Sequence, residues 1–548
     1  MRPAVAYLWL VALTLACLLP FSGRAFHTDD TLFVWVAQRI SQHPLDPYGF
    51  TLNWQFTTVR MSELTQNPPL ASYYLAAWAK FVGWSERALH LAFLLPALAC
   101  VLGTYRLAGR FTRSPLLAAI ATLVTPALLV SACSTMCDPL MLALWIWATV
   151  FWIEGLNGNR PILLAISAFL VTASELTKYF GAALILLLFA YTLARNRRIG
   201  SWVGYLLVPA AVLIGYEFAT ARIYGHGLIT TAIHFSQSRR LSTHSSKGAR
   251  VLVGLSYTGG CALPAIFLAP LLWSRKQIAA TLVAAGAAAA LMMRGVVRLG
   301  AGAGSAAEVA ARNQSWAIIS AQLVLFLAGG IGCLALAVAD YRRRREADSL
   351  LLLLWILGTF WFTAFLNWTM NARSLLPMIP AVGILLARRL EYFAEARMPR
   401  PRSLVAAALV LSGALSWWLA RADSEAANAA RTAASTIHRR TSAGAVWFAG
   451  HSGFQYYMQR FGARPYDWWH PRIKPGDWLA APYSIVWPNE IAYQFPGPRE
   501  DFAIPMHASA TTNSPELSAG FYYSYWSVLP YAFGPVPADK YAVVRLGR

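Results

Sequence analysis

Apolar residues fill long stretches of this chain without the one-sided spacing of an amphipathic helix or the strict alternation of a half-buried strand. Runs of membrane-spanning length, roughly 17–25 residues, fall near 4–21, 87–108, 114–132, 138–156, 161–176, 178–195, 201–222, 250–273, 277–297, 315–339, 349–368, 372–390 and 403–420. They predict about thirteen transmembrane helices, with the 161–195 stretch readable as one kinked helix or two. No fixed-period repeat is present, which excludes solenoids and propellers.

Charge placement supports this count. With a cytoplasmic N-terminus, the short inner loops hold Arg106/Arg110/Arg113, Arg160, Arg195/Arg197/Arg198, Arg275/Lys276, Arg342 to Arg345, and Arg388/Arg389/Arg397/Arg400/Arg402. All are basic, as the positive-inside rule requires. An odd number of spans then leaves the C-terminal residues on the extracytoplasmic side of the cell (inner) membrane. The first run also reads as a signal peptide, because Arg2 precedes it and small residues follow at Ser22 to Ala25. It is long for a signal h-region, which favours a retained anchor.

Composition then removes whole classes of function. The 57% hydrophobic and 13% charged content departs far from a soluble chain's roughly 45–50% and 25%. Lys and Arg number 46 against 24 Asp and Glu, a formal charge of +22, which suits anionic head groups or phosphates. No basic tail or zinc-finger spacing accompanies it, so nucleic acid is set aside as a partner. The six cysteines lie mostly in apolar runs, where a thiol acts as a small hydrophobe, and imply no disulfide framework.

The expected organisation is a transmembrane domain over 1–421, with long outer loops at 22–86 and 223–249, followed by a small extracytoplasmic α/β domain over 422–548. In the latter, Ala443–Ala449, Asp477–Ala481 and Tyr541–Arg545 read as strands and Ser452–Gly462 as a helix.

The first outer loop opens with Phe26-His27-Thr28-Asp29-Asp30, ahead of a helical pattern. Two readings are open: Thr28 or Asp29 caps that helix, where a carboxylate also suits the positive helix end, or the carboxylates do acid–base work. Farther on, Asn67-Pro68-Pro69 fixes a turn before another helix start, and Asp138, followed by Pro139, sits in a polar break between two spans. The derived topology brings Asp29, Asp30, Asn67 and Asp138 to the same outer face. Basic residues join them. The 223–249 loop and its edges carry Arg222, Arg239, Arg240, Lys247 and Arg250 and no acid, an excess that outer loops normally avoid. Lys178 and Arg373 stand at outer span ends, where such charges serve a site or snorkel to the interface. A phosphate-binding loop, HExxH, GxSxG and an EF-hand loop are all absent from the sequence.

Taken in order, an acidic pair after the first span, a xPPL turn, an Asp between the third and fourth spans and Arg373-x-Leu-Leu-Pro-x-x-Pro380 resemble the C-type (GT-C) membrane glycosyltransferases. The resemblance is to the family 39 group of protein O-mannosyltransferases and lipid A aminoarabinose transferases, over roughly residues 1–420. It implies an inverting transfer of a hexosyl or pentosyl unit from a polyprenyl-phosphate-linked sugar to a hydroxyl or phosphate of a protein, lipid or glycan acceptor. Asp29 matches the first acid of the family's Asp-Glu pair, which implies a base or acceptor-orienting role. Asp30 replaces the Glu, and Asp138 matches the second acidic position. Asn67 stands where relatives often carry Lys or His, and Ser374 where Tyr is frequent.

The expected site is therefore Asp29, Asp30 and Asp138 as catalytic acids, Lys178, Arg239, Arg240 and Arg373 as donor-phosphate contacts, and Asn67, Pro68 and Pro69 as an adjoining turn. The adjacent acids also suggest a divalent cation, although further ligands are not identifiable. The rival reading is a multi-pass transporter or lipid flippase. It lacks an internal two-fold repeat, and Glu217 is the notable acid near a span centre.

Overall fold

The computed structural model describes residues 2–54, 56–242, 246–294, 316–396, 401–441, 444–484, 497–524 and 527–547. The expected span ends at 295–297 and 315, as well as Arg397, Arg400 and Ala443, lie outside these residues.

Nine described helices are long and apolar enough to cross a membrane: Pro3–Phe21, Glu86–Phe111, Asp138–Gly158, Tyr179–Asn196, Val203–Tyr224, Arg275–Met293, Trp316–Arg344, Ala347–Leu366 and Arg402–Arg440. Of the other four expected runs, three are broken at prolines and the fourth, 161–176, is a single shorter helix. The run at 114–132 is split into Pro115–Leu123 and Pro126–Ala132, bent by 61°, because Pro126 disfavours a helical conformation at Thr125. At 250–273 the chain forms Lys247–Cys261, Leu263–Phe267 and Ala269–Leu272, with Pro264 and Pro270 opening the two short pieces. At 372–390 a one-turn helix, Ala372–Leu375, and a 3-10 turn at Pro377 precede Ile379–Glu395. The 161–195 stretch is two helices: Pro161–Thr177 ends at Lys178, and a 3-10 turn over Tyr179–Ala182 leads into Ala183–Asn196.

The loops expected on the inner side meet at one end of the bundle. Arg106 pairs with Glu154 at 2.7 Å, Arg113 with Glu395 at 3.7 Å, and Arg388 with both Asp340 (2.9 Å) and Glu346 (2.7 Å). Asp138, Lys178 and Arg373 lie at the other end of their helices. The segregation of charge between two faces, read from the sequence, is therefore built into the packing.

Beyond the membrane helices, a mixed five-stranded sheet has the order Arg464–Pro465, Val446–Phe448, Trp478–Pro482, Asp539–Arg545, Arg499–Ile504. Val446–Phe448 runs parallel to its two neighbours, and Asp539–Arg545 runs antiparallel to its own. Ser452–Arg460 forms a helix beside it. The helix Arg402–Arg440 passes through residue 421 without a break. Residues 508–524 and 527–534 pack onto the spans, with Tyr257 and Tyr531 donating to the Gly520 and Gly260 carbonyls at 2.8 and 2.7 Å. Ala372 N–H likewise donates to Phe521 O at 2.9 Å.

Candidate functional site

Asp138 is the first residue of its span, with Pro139 at the second position. Its side chain is 1% exposed, a costly place for a charge without partners. Lys178 supplies the first. It ends Pro161–Thr177 in an extended conformation, and its Nζ lies 2.6 Å from Asp138 Oδ1. Stacking of Trp145 on Phe180, at 5.3 Å and 4°, locks the segment after Lys178 onto the Asp138 helix. Arg373 is the second partner. Asn371 caps its one-turn helix through Ser374 N–H (2.7 Å), Asn367 Nδ2 donates to Ser374 Oγ (2.8 Å), and the guanidinium is thereby aimed at the same point.

Arg373 joins two carboxylates, with Nη1 3.6 Å from Asp138 Oδ2 and Nη2 donating to Asp29 Oδ2 at 3.0 Å. The result is a relay Lys178–Asp138–Arg373–Asp29 whose formal charges cancel. Its members differ in access: the Asp29 side chain is 38% exposed and Asp138 1%. Asp29 occupies the N-cap position of Asp30–Gln42 but makes no side-chain cap bond. Of the two readings of Asp29, capping is the one its geometry does not support.

Asp30 points elsewhere. It is wholly buried, accepting from His27 N–H (2.9 Å) with one oxygen and from Thr135 N–H and Oγ1 (2.7 and 3.1 Å) with the other. Burial pushes its carboxyl up, opposed by Arg24 and these hydrogen bonds. Asp30 thus ties the first loop to the break before Asp138. Asn67 accepts from Tyr48 OH and Thr65 Oγ1 through its carbonyl (2.8 and 2.9 Å), and its Oδ1 lies 3.7 Å from Cys137 Sγ, one residue from Asp138. Pro68 precedes Pro69, which opens Leu70–Val82.

Arg239 and Arg240 belong to a neighbouring element. The expected loop at 223–249 contains a helix, Leu228–Ser242, because Glu217 reaches from the preceding span to accept from Ile229 N–H (2.8 Å) and Thr230 N–H (3.2 Å). Arg240 donates to Phe365 O, Ser236 Oγ donates to Leu366 O at 2.7 Å, and Arg239 lies over Phe235 at 5.3 Å. The adjacent acids do not converge on a cation site: Asp29 faces Arg373 and Asp30 faces Thr135. Among the described residues, no group of three or more His, Cys, Asp or Glu could hold a metal.

Several further residues enclose the cluster. Arg24 and Asp423 form a fully buried pair at 2.8 Å, and Asp423 also accepts from Thr512 Oγ1 (2.6 Å) and Tyr522 OH (2.8 Å). The Tyr522 ring lies 5.5 Å from the Arg373 guanidinium and 5.5 Å from the His27 ring. The Ser452–Arg460 helix docks on the first loop: Phe26 N–H donates to Tyr457 OH (2.8 Å), which donates to Glu86 (2.7 Å), and Gln455 donates to Asn53 O (2.8 Å). Its N-cap, His451, packs on Trp54 at 5.1 Å. Burial pushes the His451 imidazole down to about 4, against the pull of the Asp29 charge. Thr28 and Ser452, at this junction, both adopt positive φ (44° and 62°), a strained state for residues with a Cβ. Thr28 Oγ1, Asp138 Oδ2, Arg373 Nε and His451 Nδ1 are buried without hydrogen-bond partners. Buried polar atoms are ordinarily hydrogen-bonded, so these four stand out.

Residues 66–217 match the family described as dolichyl-phosphate-mannose-protein mannosyltransferase. No curated protein sequence matches. Among solved structures, the apo oligosaccharyltransferase of Archaeoglobus fulgidus shares 11% identity over 96% of this chain and 71% of its own, with a TM-score of 0.50. ArnT from Cupriavidus metallidurans bound to undecaprenyl phosphate gives 14%, 91%, 96% and 0.46 by the same measures. Arabinofuranosyltransferase AftD from Mycobacteria gives 13%, 100%, 40% and 0.42. The chain is a multi-pass helical membrane protein that resembles the C-type glycosyltransferases in fold.

Proposed function

We propose that the protein is an inverting glycosyltransferase that moves a sugar from a polyprenyl-phosphate donor to a hydroxyl or phosphate of a protein, lipid or glycan on the extracytoplasmic side of the membrane. The observation that carries this reading is the relay of Asp29, Arg373, Asp138 and Lys178 at one end of the spans. Cations there suit a phosphate leaving group, and the exposed carboxylate suits the acceptor's proton. An apolar cavity of about 270 Å³ supports it, lined by Tyr48, Pro69, Leu70, Leu176, Tyr216 and Tyr224 among others. Its wall includes Pro69, from the Asn67–Pro69 turn, and Leu176, two residues before Lys178 in the chain, and it offers an apolar tail a bed.

In this mechanism Arg373 and Lys178 hold the donor phosphate while Asp29 takes the proton of the acceptor hydroxyl. The acceptor oxygen forms its bond to the anomeric carbon as the bond from that carbon to the phosphate oxygen breaks, and polyprenyl phosphate departs. Donor phosphate competes with Asp29 for Arg373, so its binding frees the base when it is needed. Arg239 and Arg240, on their acid-free helix, add positive potential for an anionic donor. No step is routed through a metal ion. Glu217, the charge that favoured a transporter, is engaged in capping a helix.

The test is transfer from a radiolabelled pool of polyprenyl-phosphate sugars by purified wild-type protein and Asp29→Asn, with folding followed in parallel. Turnover in wild type, lost in a folded Asp29→Asn, is expected. No wild-type turnover with any donor, or full activity in the variant, overturns the reading.

A further inference from the structure

The face opposite the relay holds a second basic constellation. Arg388 lies fifteen residues after Arg373, toward the far end of the helix Ile379–Glu395. A pocket of about 20 Å³ opens there between Trp316–Arg344 and Ile379–Glu395, lined by Asp340, Arg343, Arg344, Arg388, Arg389 and Tyr392, with aliphatic residues completing its wall. That is space for one oxygen-sized group.

Aromatic rings and carboxylates hold the guanidiniums at a partly open surface: Arg343 and Arg344 are exposed, Arg389 is half-buried and Arg388 is buried. Arg343 lies 3.4 Å over the Tyr392 ring, and Arg389 lies 5.5 Å from the same ring, 5.0 Å from Phe393 and 5.1 Å from Trp273. Arg389 Nε also donates to Leu272 O at 3.3 Å. Arg388 is 3% exposed, and although its terminal nitrogens meet Asp340, Glu346 and Ser349, its Nε has no partner. Arg344 shares the same two acids at 3.4 and 3.8 Å. Four arginines thus face two carboxylates, and among the described ion pairs neither Arg343 nor Arg389 has an acidic partner. Two cations on one aromatic ring repel each other unless an anion joins them.

We propose that this pocket is a phosphate site, seating one oxygen of a phosphate ester or of free phosphate against Arg343, Arg388 and Arg389, with Tyr392 as its floor. The excess of two positive charges matches a phosphate's one or two negative charges. Rigid stacking lowers the entropy lost on binding, and Trp273 sets the pocket at the depth where aromatic residues favour the membrane interface. The site lies away from the relay and does not depend on the glycosyltransferase reading.

The experiment titrates full-length protein in neutral detergent with phosphatidylglycerol, cardiolipin or inorganic phosphate, with phosphatidylcholine as control. It reads both melting temperature and bound lipid by native mass spectrometry. Anionic lipids are expected to raise the wild-type midpoint by several degrees, with one anionic lipid retained per chain. The paired variant Arg343→Ala/Arg389→Gln should lose both effects. Arg106→Gln, a change on the same face outside the pocket, should keep them. A shift with inorganic phosphate assigns the site to free phosphate, and a shift with lipid alone assigns it to a head group. Equal response to phosphatidylcholine, or undiminished retention in the paired variant, overturns the proposal. Should that variant fail to fold, Arg343→Lys keeps the charge, loses the planar stack, and is expected to bind at least fivefold more weakly.

Discussion

Asp29 and Asp30 are neighbours in sequence and opposites in environment. The Asp29 carboxylate is open and bound to a cation, whereas Asp30 is sealed and bound to amide and hydroxyl donors. Asp29→Asn should leave the melting temperature near wild type and lower turnover by about 10²–10⁴-fold, the usual worth of a positioned general base. Asp30→Asn should do the reverse. An amide presents an NH₂ to either His27 N–H or Thr135 N–H, leaving a buried donor unmet at a cost of about 1–3 kcal/mol. Thermal unfolding in detergent beside turnover separates the two. The sequence marked both acids because it shows adjacency and not which way each side chain turns. It also offered no route to Arg24 and Asp423, which lie 399 residues apart. Nor did it point to His451, one His near a helix start in the C-terminal part of the chain. A capping position followed by Gly453, which lets the helix approach Phe26, was the signal available there.

At the level of elements, the membrane helices were legible because length and apolarity alone define them. Their interruptions were not, because averaging over a run hides a single proline, although Pro126, Pro264 and Pro377 stand where the chain breaks. The docking of Ser452–Arg460 on the first loop was invisible for a different reason: it depends on close backbone approach. A Cβ on Gly453 would lie 2.3 Å from Phe26 O, so Gly453→Ala should undock the helix, lower the melting temperature and reduce turnover together. The same contact is sensitive to acid. Burial lowers the folded-state His451 value to about 4 from an ordinary 6.5. Between those values the unfolded chain binds more protons, and stability attributable to His451 falls as pH drops through that window. The buried His27 is lowered too, while the raised Asp30 works in the opposite direction. The difference between variants is therefore the clean readout. His451→Gln should flatten the fall in melting temperature between pH 6.5 and 4, and an unchanged slope would remove His451 from the junction's pH response.

Across the whole molecule, the two ends of the bundle carry different chemistry: a neutral relay of two acids and two bases at one, arginine-rich loops at the other. Which end faces the cytoplasm follows from physics outside the chain, because inner loops retain Lys and Arg. The count of spans cannot decide it once proline has broken several of them, but the loops themselves do. The short basic loop containing Arg342 to Arg345 predicts a cytoplasmic location there, and an extracytoplasmic one for the relay and the sheet. Labelling with a membrane-impermeant maleimide reads this directly, since five of the six native cysteines are buried and the sixth, Cys17, is half-buried within the first span. Trp469 is 74% exposed beyond the sheet, and Trp469→Cys should label in intact cells. Arg345→Cys, on the opposite face, should label only after lysis. The reverse pattern would turn the protein over and move Asp29 to the cytoplasmic side. A polyprenyl-phosphate donor would then have to be used on the face where it is made, and the proposed extracytoplasmic transfer would fall even if the relay proved catalytic.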